Sequence, residues 1–362
     1  MKLRKQLLSL VLGGALIISA LAGCSSDNKN DKFDSTQTPQ NVEIINIQGS
    51  SKDFNTWIYL DPTTNIMYRE AVFDSGLGGE PVNIAQLSDL HFNYINKQDR
   101  EENNPSIMST YSKRKWVRGG TSARKAANCL KAVADFDQIV ITGDVLDYLS
   151  WGAIELMQKN IWDKYPDTLI CLGNHESSRV CEGEVEDTTT LESRLEILKS
   201  VWKHDIFYTS KIIKEKVMVI QMDNASDSSF AGKFWECQIE PLTKDLELAR
   251  EKGYTVLIFY HIPIATNNTA QGVVAPIRGN AGEVYFANWG TSHKANDAST
   301  AVYNIIVNNA DIIKGTFCGH FHSDYYTEIV GKTPEGKERI IPQYILTGIP
   351  FDEGHVLKIT VK

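Results

Sequence analysis

Five short polar clusters interrupt the apolar runs of this chain: Ser88-Asp89-Leu90-His91, Gly143-Asp144-Val145-Leu146-Asp147, Gly173-Asn174-His175-Glu176, Tyr260-His261-Ile262-Pro263 and Gly319-His320-Phe321-His322. They hold five of the eight histidines. Imidazole and carboxylate oxygen suit borderline transition metals such as zinc, iron and manganese. One tetrahedral ion needs only three or four protein ligands. Asp89, His91, Asp144, Asn174, His261, His320 and His322 exceed that number, which favours two ions. A bridging carboxylate can hold two ions about 3.5–4 Å apart, a spacing suited to in-line attack on phosphorus.

Such a centre forms only if the fold gathers the clusters. Each lies where an apolar segment of strand length ends, at 82–87, 138–142, 168–172, 255–260 and 312–318, and 217–222 reads as a further strand. Helix-length stretches alternate with them at about 121–135, 151–164, 189–203, 241–252 and 297–309, with Pro241 suited to a first helical position. This alternation argues for an α/β fold. In such sheets ligands and catalytic groups collect at the carboxyl ends of strands. The segments 325–330, 339–346 and 356–361 add strands of antiparallel character. Upstream, 42–47, 57–60 and 66–73 read as a small β-meander, punctuated by Asp61-Pro62 and Asn65. No internal repeat is visible, which argues against a solenoid or propeller.

In order, the five clusters resemble the signature of the calcineurin-like metallophosphoesterases: D-x-H, G-D-x-x-D, G-N-H-[DE], H and G-H-x-H. All five blocks are complete and span Asp89 to His322. The resemblance implies a four-layer α/β/β/α sandwich and hydrolysis of phosphoesters by a hydroxide held on a dinuclear metal centre. Carried over by position, it implies one ion on Asp89, His91, Asp144 and His322, and a second on Asp144, Asn174, His261 and His320. His175 then stands over the ions as a non-ligand that assists the leaving oxygen. In the family an aspartate placed like Asp147 hydrogen-bonds that histidine, which would fix its tautomer and raise its basicity. Asp147 also has the residue type of a helix N-cap. Glu176 receives no assigned role. The metals implied are two divalent transition ions, with manganese, zinc and iron all open.

Departures from the family pattern bear on the substrate. Tyr148 and Leu172 stand where protein Ser/Thr phosphatases of this superfamily carry arginine, which argues against a phosphoprotein substrate. Purple acid phosphatases have tyrosine where Asp147 stands, so a tyrosinate–ferric colour is not expected. A small-molecule phosphoester is the expected partner, with a nucleotidase or cyclic-nucleotide phosphodiesterase as the alternative enzyme. Outside the enzyme class, the alternative is a surface binding lipoprotein whose metal serves structure or ligand capture. Substrate choice would lie in the loops 92–119, 177–190 and 263–296, which match no motif.

Weaker signals remain open. The basic run Lys113 to Arg118, with Arg124 and Lys125, reads first as a solvated face and second as a grip on an anionic substrate. Gly331 to Lys337 has P-loop spacing, but Glu338 follows where Ser or Thr is needed, so a hairpin turn is expected. His204 and His355 read as structural or surface residues, and His293 lies in the loop that borders the pocket. Trp235, Trp289, Tyr285 and Phe286 suit either the pocket wall or the core.

The N-terminus reads as an address. Lys2, Arg4 and Lys5 precede an apolar run from Leu7 to about Leu21, then Leu21-Ala22-Gly23-Cys24. This has the form of a secretory signal and is too short to span a bilayer. Its end resembles the bacterial lipobox, which implies cleavage before Cys24 and lipid attachment to its sulfur. The expected organisation is a signal peptide over 1–23, a polar tether over 24–40 and a catalytic domain over 41–362, with 41–73 as the meander. The expected location is a bacterial membrane surface outside the cytoplasm, reached through the N-terminal lipid. Of the other cysteines, Cys171 and Cys318 suit a core, and Cys181 and Cys237 could pair. No C-x-x-C is present, which disfavours a zinc ribbon or thioredoxin-like site.

The whole chain has 362 residues, 42% of them hydrophobic, with 37 Lys and Arg against 45 Asp and Glu. That composition excludes collagen and low-complexity chains. The formal charge of −8 argues against a general nucleic-acid partner.

Overall fold

The computed structural model describes residues 58–362, apart from 62–63, 115–116, 118–120, 180–187, 228–231, 266–283, 289–290 and 352–353. The signal, Cys24, the tether, the segment 42–47, Cys181 and Trp289 lie outside the described residues. In chain order the strands are β1 Ile58–Asp61, β2 Ile66–Phe73, β3 Val82–Leu87, β4 Gln138–Ile141, β5 Leu169–Ile170, β6 Tyr208–Ile213, β7 Val217–Met222, β8 Thr255–Phe259, β9 Tyr285–Asn288, β10 Thr291–Lys294, β11 Ile313–Cys318, β12 Tyr325–Lys332, β13 Glu338–Ile345 and β14 His355–Val361.

Two six-stranded mixed sheets organise them, ordered β1-β2-β14-β3-β4-β5 and β12-β13-β11-β8-β7-β6, beside a separate β9–β10 hairpin. β3, β4 and β5 run parallel, as do β7, β8, β11 and β13. β4, β7 and β8 are buried along their whole length, which is why they read as continuous apolar runs rather than alternating ones. The C-terminal strand β14 slots between β2 and β3, parallel to the first and antiparallel to the second.

Three apolar layers hold the sheets and helices together. Between the sheets, Ala71, Ile84 and Val140 face Val219, Leu257 and Phe317. There Phe317 stacks on Phe259 at 4.7 Å and on Tyr344 at 5.4 Å between ring centres. The outer face of the first sheet packs on helices 121–132, 151–157 and 191–201 through residues such as Leu130, Ile154 and Leu198. The outer face of the second packs on helices 239–252 and 297–307 through Leu242, Leu246 and Val302. The architecture is thus an α/β/β/α sandwich. Each fully buried Leu, Ile or Phe contributes about 1.5–3 kcal/mol of transfer free energy.

Two expectations need correction, and the alternative N-cap role of Asp147 falls. The loop 92–119 contains two helices, Lys97–Glu102 and Pro105–Lys113, capped by Asn96 and Asn104. The 239–252 helix begins at Ile239, so Pro241 sits within its first turn rather than at its first position. First-turn N–H groups lack helical partners in any case, so the missing donor costs nothing there. Ser150, not Asp147, caps the helix that starts at Trp151.

Candidate metal centre

Every polar cluster directly follows a parallel strand, and the backbone there bends sharply. Asp89, His91, Asp144, His320 and His322 all adopt left-handed φ angles between 48° and 73°. Non-glycine residues rarely hold that conformation, and surrounding structure must enforce it. Cross-loop hydrogen bonds do so: His91 N donates to Asp144 O at 2.8 Å, Phe92 N to Val145 O at 2.7 Å and Gly319 N to His261 O at 3.0 Å. Two glycines admit the close approach. A Cβ on Gly173 would lie 2.1 Å from Asp144 Oδ1, and one on Gly319 would lie 2.4 Å from Asp89 Oδ2.

The loops bring all seven ligand-type residues together. Asp89, His91, Asp144 and His322 each offer a ligand atom, all within 4.8 Å of one another. Asp144, His261 and His320 do the same. Asp144 belongs to both groups. Asn174 joins the second, with its Oδ1 3.2 Å from His261 Nε2. Hard carboxylate and amide oxygens mixed with imidazole nitrogens fit transition dications.

Hydrogen bonds fix which ring nitrogen faces the cluster. His261 Nδ1 lies 2.7 Å from the Thr142 carbonyl, so it carries the proton and leaves Nε2 at 3.3 Å from Asp144 Oδ2. His91 Nδ1 lies 3.0 Å from Asp147 Oδ1, leaving Nε2 at 3.2 Å from His322 Nε2. Burial would raise the Asp144 carboxyl, but His261 and His175 hold it well below the ordinary carboxylate range. Burial pushes His91 down to about 4 and His320 to about 3, so both rings are neutral and ready to ligate. Burial also opposes charge on His261, yet Asp144 raises it to about 10. That ring must release a proton before it can bind metal.

His175 stands beside the cluster, its Nε2 3.8 Å from Asp144 Oδ2. Its Nδ1 donates to the Asp147 main-chain carbonyl at 2.8 Å, not to the carboxylate, which lies 3.9 Å away. The expected side-chain contact is therefore replaced by a backbone one, because the Asp147 carboxylate is taken by His91, Asn93 and Arg114. His91, Asp147 and His175 also have metal-holding spacing. With both Asp147 oxygens engaged, that group reads as support rather than as a third site.

Several supporting residues had no role legible in the sequence, although Glu176 closes the third block. Glu176 is buried and accepts from the backbone N–H groups of Asp144, Leu146 and Gly173, tying two strand-end loops together. Burial and the nearby Asp144 raise its carboxyl to about 8. Asn224, after β7, accepts from His261 N at 3.1 Å and Ile262 N at 2.9 Å. Its place at a strand end was the one available signal. Arg114 is buried against Asp147, so the basic run is neither wholly solvated nor, at this residue, open to substrate.

The remaining expectations sort by burial. Tyr148 and Leu172 are buried side chains, with Tyr148 Oη donating to Asn93. His355 is buried beside Asp324, at 3.3 Å, and His204 accepts from Ile170 N at 3.0 Å. His293 is half-buried on β10 opposite Phe286, outside the ligand groups. Tyr285 and Phe286 lie in the core of the second sheet, and Trp235 bonds Asp223. Cys171 and Cys318 are buried, and Cys237 is exposed. Residues 333–337 form the turn of the β12–β13 hairpin.

A family model described as calcineurin-like phosphoesterase matches residues 82–324. No curated protein matches the chain. Among solved structures, a dimetal phosphatase from Danio rerio is 14% identical and covers 78% of this chain and 99% of its own, with a TM-score of 0.44. PhoD is 10% identical, covering 78% of this chain and 59% of its own at a TM-score of 0.44. The purple acid phosphatase PPD1 from yellow lupin (Lupinus luteus) seeds is 13% identical, covering 81% of this chain and 49% of its own at 0.42.

Proposed function

Because the chain belongs to the calcineurin-like phosphoesterase family, whose members hydrolyse phosphoesters, we propose that it acts on a small-molecule phosphoester with two divalent transition metal ions. The observation that carries this reading is the sharing of Asp144 between two groups of side chains with metal-holding spacing. Two dications held there would neutralise charge developing on phosphorus and lower the pKa of water at the site. Asp89, His91 and His322 would hold one ion and Asn174, His261 and His320 the other, with Asp144 available to both.

His175 is the proton donor to the leaving oxygen. Its Nδ1–H bond to the Asp147 carbonyl points Nε2 toward the cluster. In the imidazolium form the Nε2–H would pass its proton to the departing alkoxide, leaving a neutral ring that keeps Nδ1–H. General acid assistance of this kind contributes about 10²–10⁴-fold. The test is a metal analysis paired with a screen of aryl phosphate mono- and diesters, nucleoside monophosphates and cyclic nucleotides. Turnover that depends on added manganese, zinc or iron is expected. A metal-loaded chain inert across the panel overturns the reading and favours a binding lipoprotein.

The same proposal sets the enzyme outside the cytoplasm on a lipid attached to Cys24. Residues 1–24 support it through their charge, apolar run and Leu-Ala-Gly-Cys end. Cys24→Ala should abolish metabolic labelling by a fatty acid and release the protein from membranes. Unchanged labelling contradicts it.

A further inference from the structure

We propose that Arg114 is a positioning residue for the first metal site, acting by locking the Asp147 carboxylate onto His91. The inference rests on the dinuclear reading above and concerns a residue outside all five motifs.

Arg114 caps the C-terminal end of helix Pro105–Lys113, its N–H bonded to Thr110 O. Its side chain turns inward and is only 8% exposed. The Nε atom lies 2.8 Å from both Asp147 oxygens, and Nη2 lies 2.7 Å from Oδ1. Asn93 Nδ2 donates to Asp147 Oδ2 at 2.6 Å, and Tyr148 Oη donates to Asn93 Oδ1 at 3.3 Å. The carboxylate is thus held by Arg114 and Asn93 and presents Oδ1 to His91 Nδ1 at 3.0 Å.

The consequence falls on His91. Once its Nδ1–H is committed to Asp147, Nε2 is the nitrogen left for the ion, and it already faces Asp89, Asp144 and His322. A carboxylate behind a ligating histidine fixes ring orientation and strengthens the ligand. Left uncompensated, the Asp147 carboxylate would be a buried anion beside two others, able to swing and take an ion itself. The guanidinium prevents both. It cancels the charge and occupies the oxygens in a planar two-point grip that an ammonium cannot copy. His261 has no such apparatus, since a main-chain carbonyl holds its Nδ1. The effect of Arg114 should therefore fall on one ion and not the other.

The test uses the full-length protein, stripped of metal and titrated with Mn²⁺ by calorimetry, with Co²⁺ absorption as a second readout. In Arg114→Gln one binding event should weaken about 10–100-fold, the range seen for residues behind metal ligands. The other should stay within about twofold, which also reports that the chain is folded. Arg114→Lys should recover part of the loss. Excess Mn²⁺ should restore kcat in Arg114→Gln, with KM for an aryl phosphate unchanged. Two wild-type affinities in Arg114→Gln overturn the proposal. So does a raised KM at saturating metal, which would make Arg114 a substrate contact. If Arg114→Gln does not fold, Asn93→Ala carries the test through the other carboxylate oxygen. It should weaken the same event about fivefold, the worth of one ordinary hydrogen bond, and two unaltered affinities overturn the proposal. The wild-type titration tests the dinuclear reading separately, because its two events do not depend on Arg114.

Discussion

His91 and His261 both face Asp144 Oδ2, at 3.9 and 3.3 Å, but what stands behind them differs. Behind His91 is a side-chain network of Asp147, Asn93 and Arg114 that reaches into the helical segment 97–114. Behind His261 is the Thr142 carbonyl at the end of β4, with Asn224 bonding the His261 backbone. One half of the centre is held by ionised groups that a substitution can remove. In the other the ring is oriented by a main-chain carbonyl, which a side-chain substitution leaves in place. The difference teaches that the two ions should respond unequally to mutation and to pH, although they share a ligand.

The largest expected effect abolishes the distinction. Asp144→Asn removes the charged oxygen common to both groups, so calorimetry should show both binding events weakened and turnover should fall below detection. Retention of either event at wild-type affinity contradicts the shared role. Next is His175→Ala, which should lower kcat about 10²–10⁴-fold while metal stoichiometry stays unchanged. Loss of an ion in that variant would make His175 a ligand.

The pH response sharpens the comparison. Burial disfavours charge on His261, but Asp144 raises it to about 10, so the ring carries a proton at neutral pH. Filling the second group must displace that proton. Affinity there should rise with pH, by up to about tenfold per unit between pH 6 and 9. His91 and His320, held near 4 and 3 by burial, are already neutral in that window and add nothing to the slope. Calorimetry in buffers of different ionisation enthalpy counts the protons released, and a pH-independent affinity at both groups would refute the assignment. The smallest effect is structural. Asn224→Ala leaves two buried N–H groups without their acceptor, at a cost of about 1–3 kcal/mol, read as a lower melting temperature. Because Thr142 still holds the ring, the second ion should bind within a few-fold of normal.

The seven residues that the fold gathers were legible because each lies within a few positions of an apolar strand, where the chain pattern changes from apolar to polar. The strands themselves were legible for the same reason, as at Val217–Met222, which is buried throughout. What was hidden depends on long-range packing. Arg114 sits in a basic run whose ordinary meaning is a wet surface, and only the fold turns it inward against Asp147. The Asp147 carboxylate was expected at His175. The main chain of that residue serves His175 instead, and no spacing rule separates a residue's carbonyl from its side chain. Glu176 stands inside the third block and Asn224 at a strand end, but both act on backbone N–H groups of neighbouring loops, a role that no residue pattern specifies. The slot of β14 between β2 and β3 joins segments nearly 300 residues apart, and pairing at that distance has no local signal.

The central claim is that Asp144 joins two ligand groups into one dinuclear phosphoesterase centre. It is tested most directly by titrating Mn²⁺ into the metal-free full-length protein while following hydrolysis of an aryl phosphate in the same samples. Two ions bound per chain, with turnover appearing as the second is filled, is the predicted result. A single ion at saturation, or two ions with no turnover of any phosphoester, would contradict it.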